Sequence, residues 1–320
     1  MLISGDKEEL GPVDPEERVH AARCWSAVVP WIIAARLRTL PAALCPVIFA
    51  AAVAYSAGFH RWGLWILVAI CGSLIQVICN FANDLHDFLK GADTDARIGP
   101  QRAVQAGLIS PEQMRYALRI LVGISVILGI VLIGAGGWPI LLIGMLSLVC
   151  AFAYTTGPHP LAYRGLGELF VMIFFGPVPV YGTLRIMGLK APVPSLIIGG
   201  GIAAIAAALL VVNNVRDREQ DELVAKRTLA VRLGEPRCRF EYFVWMIVAA
   251  CAPVGAWLCE APVGVLAGVG IIPFGWRVAR RLFVARCGVD YGLVLKQTVV
   301  ILGGYTAAVS IGWLSSLALM

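Results

Sequence analysis

Nine apolar runs divide this chain, near residues 39–58, 62–82, 118–135, 138–156, 167–185, 194–214, 240–258, 262–280 and 297–318. Each approaches the roughly 20 residues that an α-helix needs to cross a bilayer, and all are too long for the strands of a membrane barrel. Helices also satisfy their own backbone hydrogen bonds in lipid, so each run predicts a transmembrane helix. Pro177, Pro179, Gly199, Gly200, Gly201, Gly303 and Gly304 fall inside the runs. Membrane helices tolerate such residues, and the glycines let neighbouring helices approach closely. Ahead of the first run, Trp25 to Leu37 is apolar with an Arg36/Arg38 end, which predicts an interfacial helix leading into the membrane.

The polar positions set an orientation. With the N-terminus in the cytoplasm and nine alternating spans, 23 of the 26 Lys and Arg residues fall on the cytoplasmic side, and only Arg61, Arg185 and Lys190 on the other. That asymmetry predicts an N-in, C-out topology. Residues 1–24 are expected to form a disordered cytoplasmic tail. They hold Asp6, Glu8, Glu9, Asp14, Glu16 and Glu17 with no early apolar core, unlike a signal peptide. Residues 25–320 then form a single membrane-embedded domain.

Composition agrees. The chain is 59% hydrophobic and only 14% charged, where an ordinary soluble domain is about a quarter charged. The nine cysteines are scattered without a CxxC or Cys/His cluster, which argues against a zinc site or a disulfide framework. Most are expected to be buried as small apolar residues. Nothing in the chain points to nucleic acid or to a protein partner.

Charge is therefore notable where it does occur. Two acidic stretches, Asn80-Phe-Ala-Asn83-Asp84-Leu-His-Asp87 and Asn213-Asn214-Val-Arg-Asp217-Arg-Glu-Gln-Asp221, stand at the ends of the second and sixth runs. Ionisable groups at a membrane rim are costly and usually functional. The pairs Asn80/Asp84 and Asn213/Asp217 share one spacing, a weak internal repeat, and each is followed by basic residues: Lys90, Arg97 and Arg102, then Lys226, Arg227 and Arg232. If the helices continue through the motifs, Asn80, Asp84 and Asp87 share one face, as do Asn213, Asp217 and Asp221. Facing carboxylates repel unless cations lie between them. Mg²⁺ takes one or two carboxylates together with phosphate oxygens, and Arg or Lys suits the remaining phosphate charge. Near lipid, the arrangement fits a diphosphate on an apolar chain. Arg36 and Arg38 serve equally as positive-inside anchors, and Tyr154 and Tyr163 equally as interface or core residues.

At these residues the chain resembles the UbiA superfamily of intramembrane aromatic prenyltransferases. The resemblance to its 1,4-dihydroxy-2-naphthoate branch extends through Ala35-Arg-Leu-Arg-Thr-Leu-Pro41, Asn83 to Asp93, Arg97-Ile-Gly-Pro-Gln-Arg102, Pro160-Leu-Ala-Tyr-Arg-Gly-Leu-Gly-Glu168 and Lys226-Arg-Thr-Leu-Ala230. One departure stands out: many relatives carry a third Asp four residues beyond the second, where this chain has Gly91, with Asp93 two residues on.

The resemblance implies an all-α polytopic fold of about nine transmembrane helices around a central cavity open to the cytoplasmic side, in a bacterial plasma membrane. It implies Asp84, Asp87, Asp217 and Asp221 as catalytic residues that hold Mg²⁺, helped by Asn80, Asn83 and Asn213. Arg36, Arg38, Lys90, Arg97, Arg102, Lys226 and Arg227 would bind the diphosphate, and Tyr154 and Tyr163 would contact the acceptor or the allylic cation. The implied substrates are a polyprenyl diphosphate and 1,4-dihydroxy-2-naphthoate, joined with loss of CO₂ to give demethylmenaquinone. A 4-hydroxybenzoate or homogentisate acceptor is the alternative within the superfamily. Outside it, a membrane cation or metabolite transporter also places acids and repeats within the bilayer.

Overall fold

A computed structural model describes residues 27–91, 99, 102–157 and 160–315. The expected tail at 1–24, together with Asp93 and Arg97, lies outside the described residues. Within them all regular structure is helical. Helix α1 (residues 27–35) meets α2 (Leu40–Ser56) through a 3₁₀ turn at Leu37–Thr39. Then follow α3 (Trp62–Leu89), α4 (Pro111–Gly136), α5 (Trp138–Ala153), α6 (Gly167–Phe174), α7 (Pro177–Met187) and α8 (Val193–Arg216). Two short helices, α9 (Arg218–Leu223) and α10 (Leu229–Leu233), lead to α11 (Glu235–Leu258). A 3₁₀ segment at Val263–Ile271 precedes α12 (Ile272–Val284), and α13 (Gly288–Leu314) closes the bundle.

Each predicted run has a helical counterpart, but among the described residues 8 stretches rather than nine are long and apolar enough to cross a membrane. The exception is α5, whose 16 residues rise about 24 Å against a hydrocarbon core of about 30 Å. Two runs are broken rather than continuous. Pro177 and Pro179 restart the helix after Gly176, splitting the fifth run into α6 and α7. The eighth run begins as the 3₁₀ segment and becomes α-helical only at Ile272. Other helices outrun their apolar stretch. Ser110 and Gln113 form a capping box that starts α4 ahead of residue 118, and α3 continues past residue 82 to Leu89. At about 42 Å the 28-residue α3 exceeds the hydrocarbon core, so its last turns carry the first acidic motif out to the rim.

The main core surrounds α8, with Phe49 of α2, Leu184 of α7, Tyr242 of α11 and Leu302 of α13 packed against it. A second core joins Ala34 of α1, Ile78 and Phe81 of α3, and Met114 of α4. Glycine and alanine make α8 thin enough for this central position. A Cβ on Gly176 would strike the carbonyl oxygen of Gly199, whereas one on Gly200 would meet nothing within 4 Å. Gly176→Ala is therefore expected to cost about 1–3 kcal/mol and to lower the unfolding temperature in detergent, while Gly200→Ala leaves it unchanged. The periphery is apolar and outward-facing, as at Ile127, Val131, Leu146 and Val149, which suits contact with lipid. Cys45 and Cys238 are buried, but Cys251, Cys259 and Cys287 are exposed, against the expectation that most would be buried. Cys251 lies within α11, where an outward-facing thiol need not leave an apolar medium, whereas Cys259 and Cys287 stand at helix ends.

Candidate active site

The first motif occupies the C-terminal turns of α3, and the helix does continue through it. Asn80, Asn83, Asp84 and Asp87 are all buried, the two aspartates at 1% and 2% exposure. Asp84 acts as an anchor for the following loop: its carboxylate oxygens accept the backbone N–H groups of Ala103 (3.1 Å) and Val104 (3.3 Å). Asp87 faces cations. Its Oδ2 lies 3.2 Å from Arg102 Nη2 and 3.8 Å from Lys226 Nζ. Its Oδ1 is buried without a hydrogen-bond partner.

The second motif crosses a break, since α8 ends at Arg216 and α9 begins at Arg218. The spacing survives because the backbone N–H of Asp217 donates to Asn213 O (3.0 Å) and that of Asp221 to Asp217 O (2.8 Å). Arg216 grips Asp217 through two parallel bonds, Nε to Oδ1 (2.7 Å) and Nη2 to Oδ2 (2.8 Å). Lys226 joins the two motifs, its Nζ lying 3.3 Å from Asp221 Oδ1 as well as near Asp87. Burial pushes the Asp221 carboxyl up to about 6, with Lys226 pulling it down and Asp217 and Asp87 adding to the rise. Burial lowers Lys226, but Asp87, Asp221 and Asp217 together outweigh it and hold the ammonium above its ordinary value. The two acidic faces thus meet with a lysine between them, as the repulsion argument required.

The amides of the first motif brace the site. Asn80 Nδ2 donates to Ala35 O (2.9 Å) and to Thr39 Oγ1 (3.1 Å), on either side of Arg36, whose φ of 48° is left-handed. A non-glycine residue in that region carries about 1–2 kcal/mol of strain, so the turn that brings Arg36 and Arg38 to the cavity needs this support. Asn83 Oδ1 accepts the Thr155 hydroxyl (2.9 Å), tying α3 to the end of α5. Asn80→Ala is expected to release the turn and to cost about 1–3 kcal/mol, read as a lower unfolding temperature in detergent.

Both motifs open into one cavity of about 1670 Å³. Its polar end is lined by Arg36, Arg38, Asn80, Asn83, Asp84, Asp87, Arg102, Asn213, Asp217, Asp221, Lys226 and Tyr154. The remainder is apolar, including Ile130, Ile133, Leu141, Met145, Phe170 and Phe174. Three expected residues, Lys90, Tyr163 and Arg227, stand off this lining. Lys90 donates to Thr155 O (2.7 Å) and lies 4.6 Å over the Tyr163 ring, at the rim. Burial and Lys226 lower Lys90, with Asp87 acting against them. Arg227 is exposed. Arg216, Asn214 and Glu168, none of them an expected site residue, also line the cavity. A signal for Glu168 did exist, namely a carboxylate at the edge of an apolar run.

Among the described residues no three His, Cys, Asp or Glu side chains converge on one point. The donor set nonetheless fits a hard cation that brings its own phosphate ligands: oxygens from both motifs, and at Asp87 a buried carboxylate oxygen that lacks a partner.

A helical bundle holding paired acidic motifs and basic side chains at the mouth of an apolar cavity suits a ligand with an anionic head and an apolar body. Residues 43–290 match the UbiA prenyltransferase family, and the chain belongs to that family. It is similar to the 1,4-dihydroxy-2-naphthoate octaprenyltransferase of Haemophilus influenzae, with 39% identity over 69% of this chain and 74% of that protein. It is also similar to the Mycobacterium tuberculosis protein of that name, 34% identical over 84% of this chain and 91% of the relative. Among solved structures, a UbiA homolog from Archaeoglobus fulgidus bound to GPP and Mg²⁺ shares the fold. Its TM-score is 0.65 at 13% identity, over 89% of this chain and 99% of the homolog. The chain is an integral membrane prenyltransferase.

Proposed function

We propose that this protein transfers a polyprenyl chain from polyprenyl diphosphate to 1,4-dihydroxy-2-naphthoate, with loss of CO₂, giving demethylmenaquinol, the hydroquinone form of demethylmenaquinone. The observation that carries the reading is the meeting of the two acidic motifs around Lys226 at the polar end of an otherwise apolar cavity. The names of the Haemophilus and mycobacterial relatives support the acceptor. Mg²⁺ would be held by Asp84, Asp87, Asp217 and Asp221, with Asn80, Asn83 and Asn213 beside them. When bound it supplies positive charge that stabilises the departing diphosphate.

The chain's own residues divide the remaining work. Lys226, Arg102, Arg36 and Arg38 line the polar end and take up the charge that develops on the leaving group. Arg97 would join them from the segment before Arg102. Lys90 and Arg227 steer the diphosphate at the rim rather than holding it. Phe170, Phe174 and their apolar neighbours exclude water from the allylic carbon, and Tyr154 offers a ring beside it. The distribution of Lys and Arg supports a cytoplasmic N-terminus and a site facing the cytoplasm, within a bacterial plasma membrane. The deciding assay presents membranes containing the protein with Mg²⁺, a polyprenyl diphosphate and one aromatic acid at a time, with products identified by mass. Product with 1,4-dihydroxy-2-naphthoate alone is the expected result. Product only with 4-hydroxybenzoate or homogentisate would displace the acceptor assignment.

A further inference from the structure

Glu168 opens α6, buried at 4% exposure, in the wall of the cavity. Its Oε1 accepts a hydrogen bond from Asn214 Nδ2 at 2.9 Å. Its Oε2 is buried with no partner. An unsatisfied carboxylate oxygen in an apolar wall is costly, and neither phosphate binding nor helix packing accounts for it. Its position is fixed between polar and apolar regions. Gly167, the preceding residue, packs so closely under Tyr154 that a Cβ there would stand 3.0 Å from the tyrosine oxygen. Tyr154 lines the same cavity as Glu168. Two and six residues further along α6, Phe170 and Phe174 also line the cavity and stack with centroids 6.0 Å apart.

Each participant in the proposed reaction can be asked what it would gain from such an oxygen. A diphosphate brings only negative charge and is repelled. A polyprenyl chain has no donor. The aromatic acceptor alone carries an O–H group. We infer that Glu168 is the acceptor-binding residue, its Oε2 taking the hydrogen bond, and then the proton, of a ring hydroxyl next to the carbon that is prenylated.

This role rests on the proposed transfer. The allylic C–O bond breaks and the diphosphate leaves with the electron pair. The ring carbon forms the new C–C bond, the neighbouring hydroxyl oxygen becomes a carbonyl, and its proton passes to Glu168. The ring carboxylate now lies β to a carbonyl and departs as CO₂. The electron pair of that C–C bond restores the aromatic ring as an oxyanion, which takes the proton back from Glu168. No oxidant or other reactant is needed.

Glu168→Gln tests it. The Asn214 donor holds the glutamine oxygen on its own side, so the side chain presents NH₂ to the cavity where a carboxylate oxygen stood. The variant is expected to lose about 100-fold in kcat/KM for the aromatic acceptor, with KM for polyprenyl diphosphate within about twofold. Competition by inert analogues separates hydroxyl recognition from a general electrostatic effect on the allylic cation. Wild type should bind a hydroxylated analogue at least about tenfold more tightly than its methyl ether, and the Gln variant should bind the two alike. Discrimination retained in Glu168→Gln overturns the assignment, whatever happens to kcat. If the Gln variant does not fold, Glu168→Asp keeps the charge but withdraws it by one methylene. It should then raise the acceptor KM about tenfold, and an unchanged acceptor KM overturns the assignment. Wild-type protein that forms no prenylated product would sink the proposed reaction itself, whereas an active wild type with an indifferent Gln variant removes only the role of Glu168.

Discussion

Asp87→Asn and Asp217→Asn should each reduce prenyl transfer by about a thousandfold or more while the protein still inserts, and Asp217→Asn should also lose some stability because it turns an NH₂ towards one of the two N–H groups of Arg216. Each change keeps the side chain's size and removes one negative charge from the polar end of the cavity. A single preorganised electrostatic contact at a reacting centre is worth about 10²–10³ in rate, and a metal-binding carboxylate contributes to affinity as well. Asp87 Oδ1, buried and without a partner, marks the position where the loss should be greatest. Near-normal turnover in both variants, measured as product per membrane-inserted protein, would rule out the metal role. Asp84→Asn should differ from Asp87→Asn. Both of its oxygens accept loop amides, and an asparagine would turn an NH₂ towards one of those N–H groups. That mismatch costs about 1–3 kcal/mol, so this variant should lose stability along with activity.

Chelation should abolish turnover and added Mg²⁺ should restore it, with a requirement that depends on pH. Asp221 is held up at about 6, first by burial and then by Asp217 and Asp87, with Lys226 opposing. Above that pH the carboxylate is ionised and available to a cation. Below it a proton competes, and each metal ion bound must release that proton. The Mg²⁺ concentration for half-maximal activity should therefore be flat above about pH 6 and rise about tenfold per pH unit below it. The same shift has a stability consequence of definite sign. Because the folded value lies above the ordinary 3.8, ionising Asp221 costs folding free energy. The metal-free protein should gain stability as pH falls through that value. Titrating activity against Mg²⁺ at several pH values, with chelated protein followed by thermal unfolding, checks both. A metal requirement that does not change between pH 5 and 7 would remove Asp221 from the metal site.

The helical class and both acidic motifs were legible from residue patterns because a bilayer imposes so few options. Every run had to be helical to satisfy its backbone, and a carboxylate beside lipid had to have a purpose. The helix count was less secure. Run length does not reveal that Gly176 and Pro177 interrupt the fifth run, or that α5 stops at 16 residues. The cations were only partly legible. Arg102 and Lys226 were anticipated and do touch the acidic motifs. Arg227, next in sequence to Lys226, faces outward, because one residue's difference in a turn reverses a side chain's direction.

Sequence alone determined that this is a helical membrane protein with two acidic stretches escorted by basic residues, since hydropathy and charge are properties of each segment by itself. Tertiary structure decided how those segments meet. It placed Lys226 between Asp87 and Asp221 across 139 residues of sequence and turned Asp84 into a loop anchor. It set Asn80 to brace Arg36 and left one oxygen of Glu168 without a partner in the cavity wall. Those are contacts between distant segments, fixed by how closely small-residue helices such as α8 allow their neighbours to pack, and no local pattern records them.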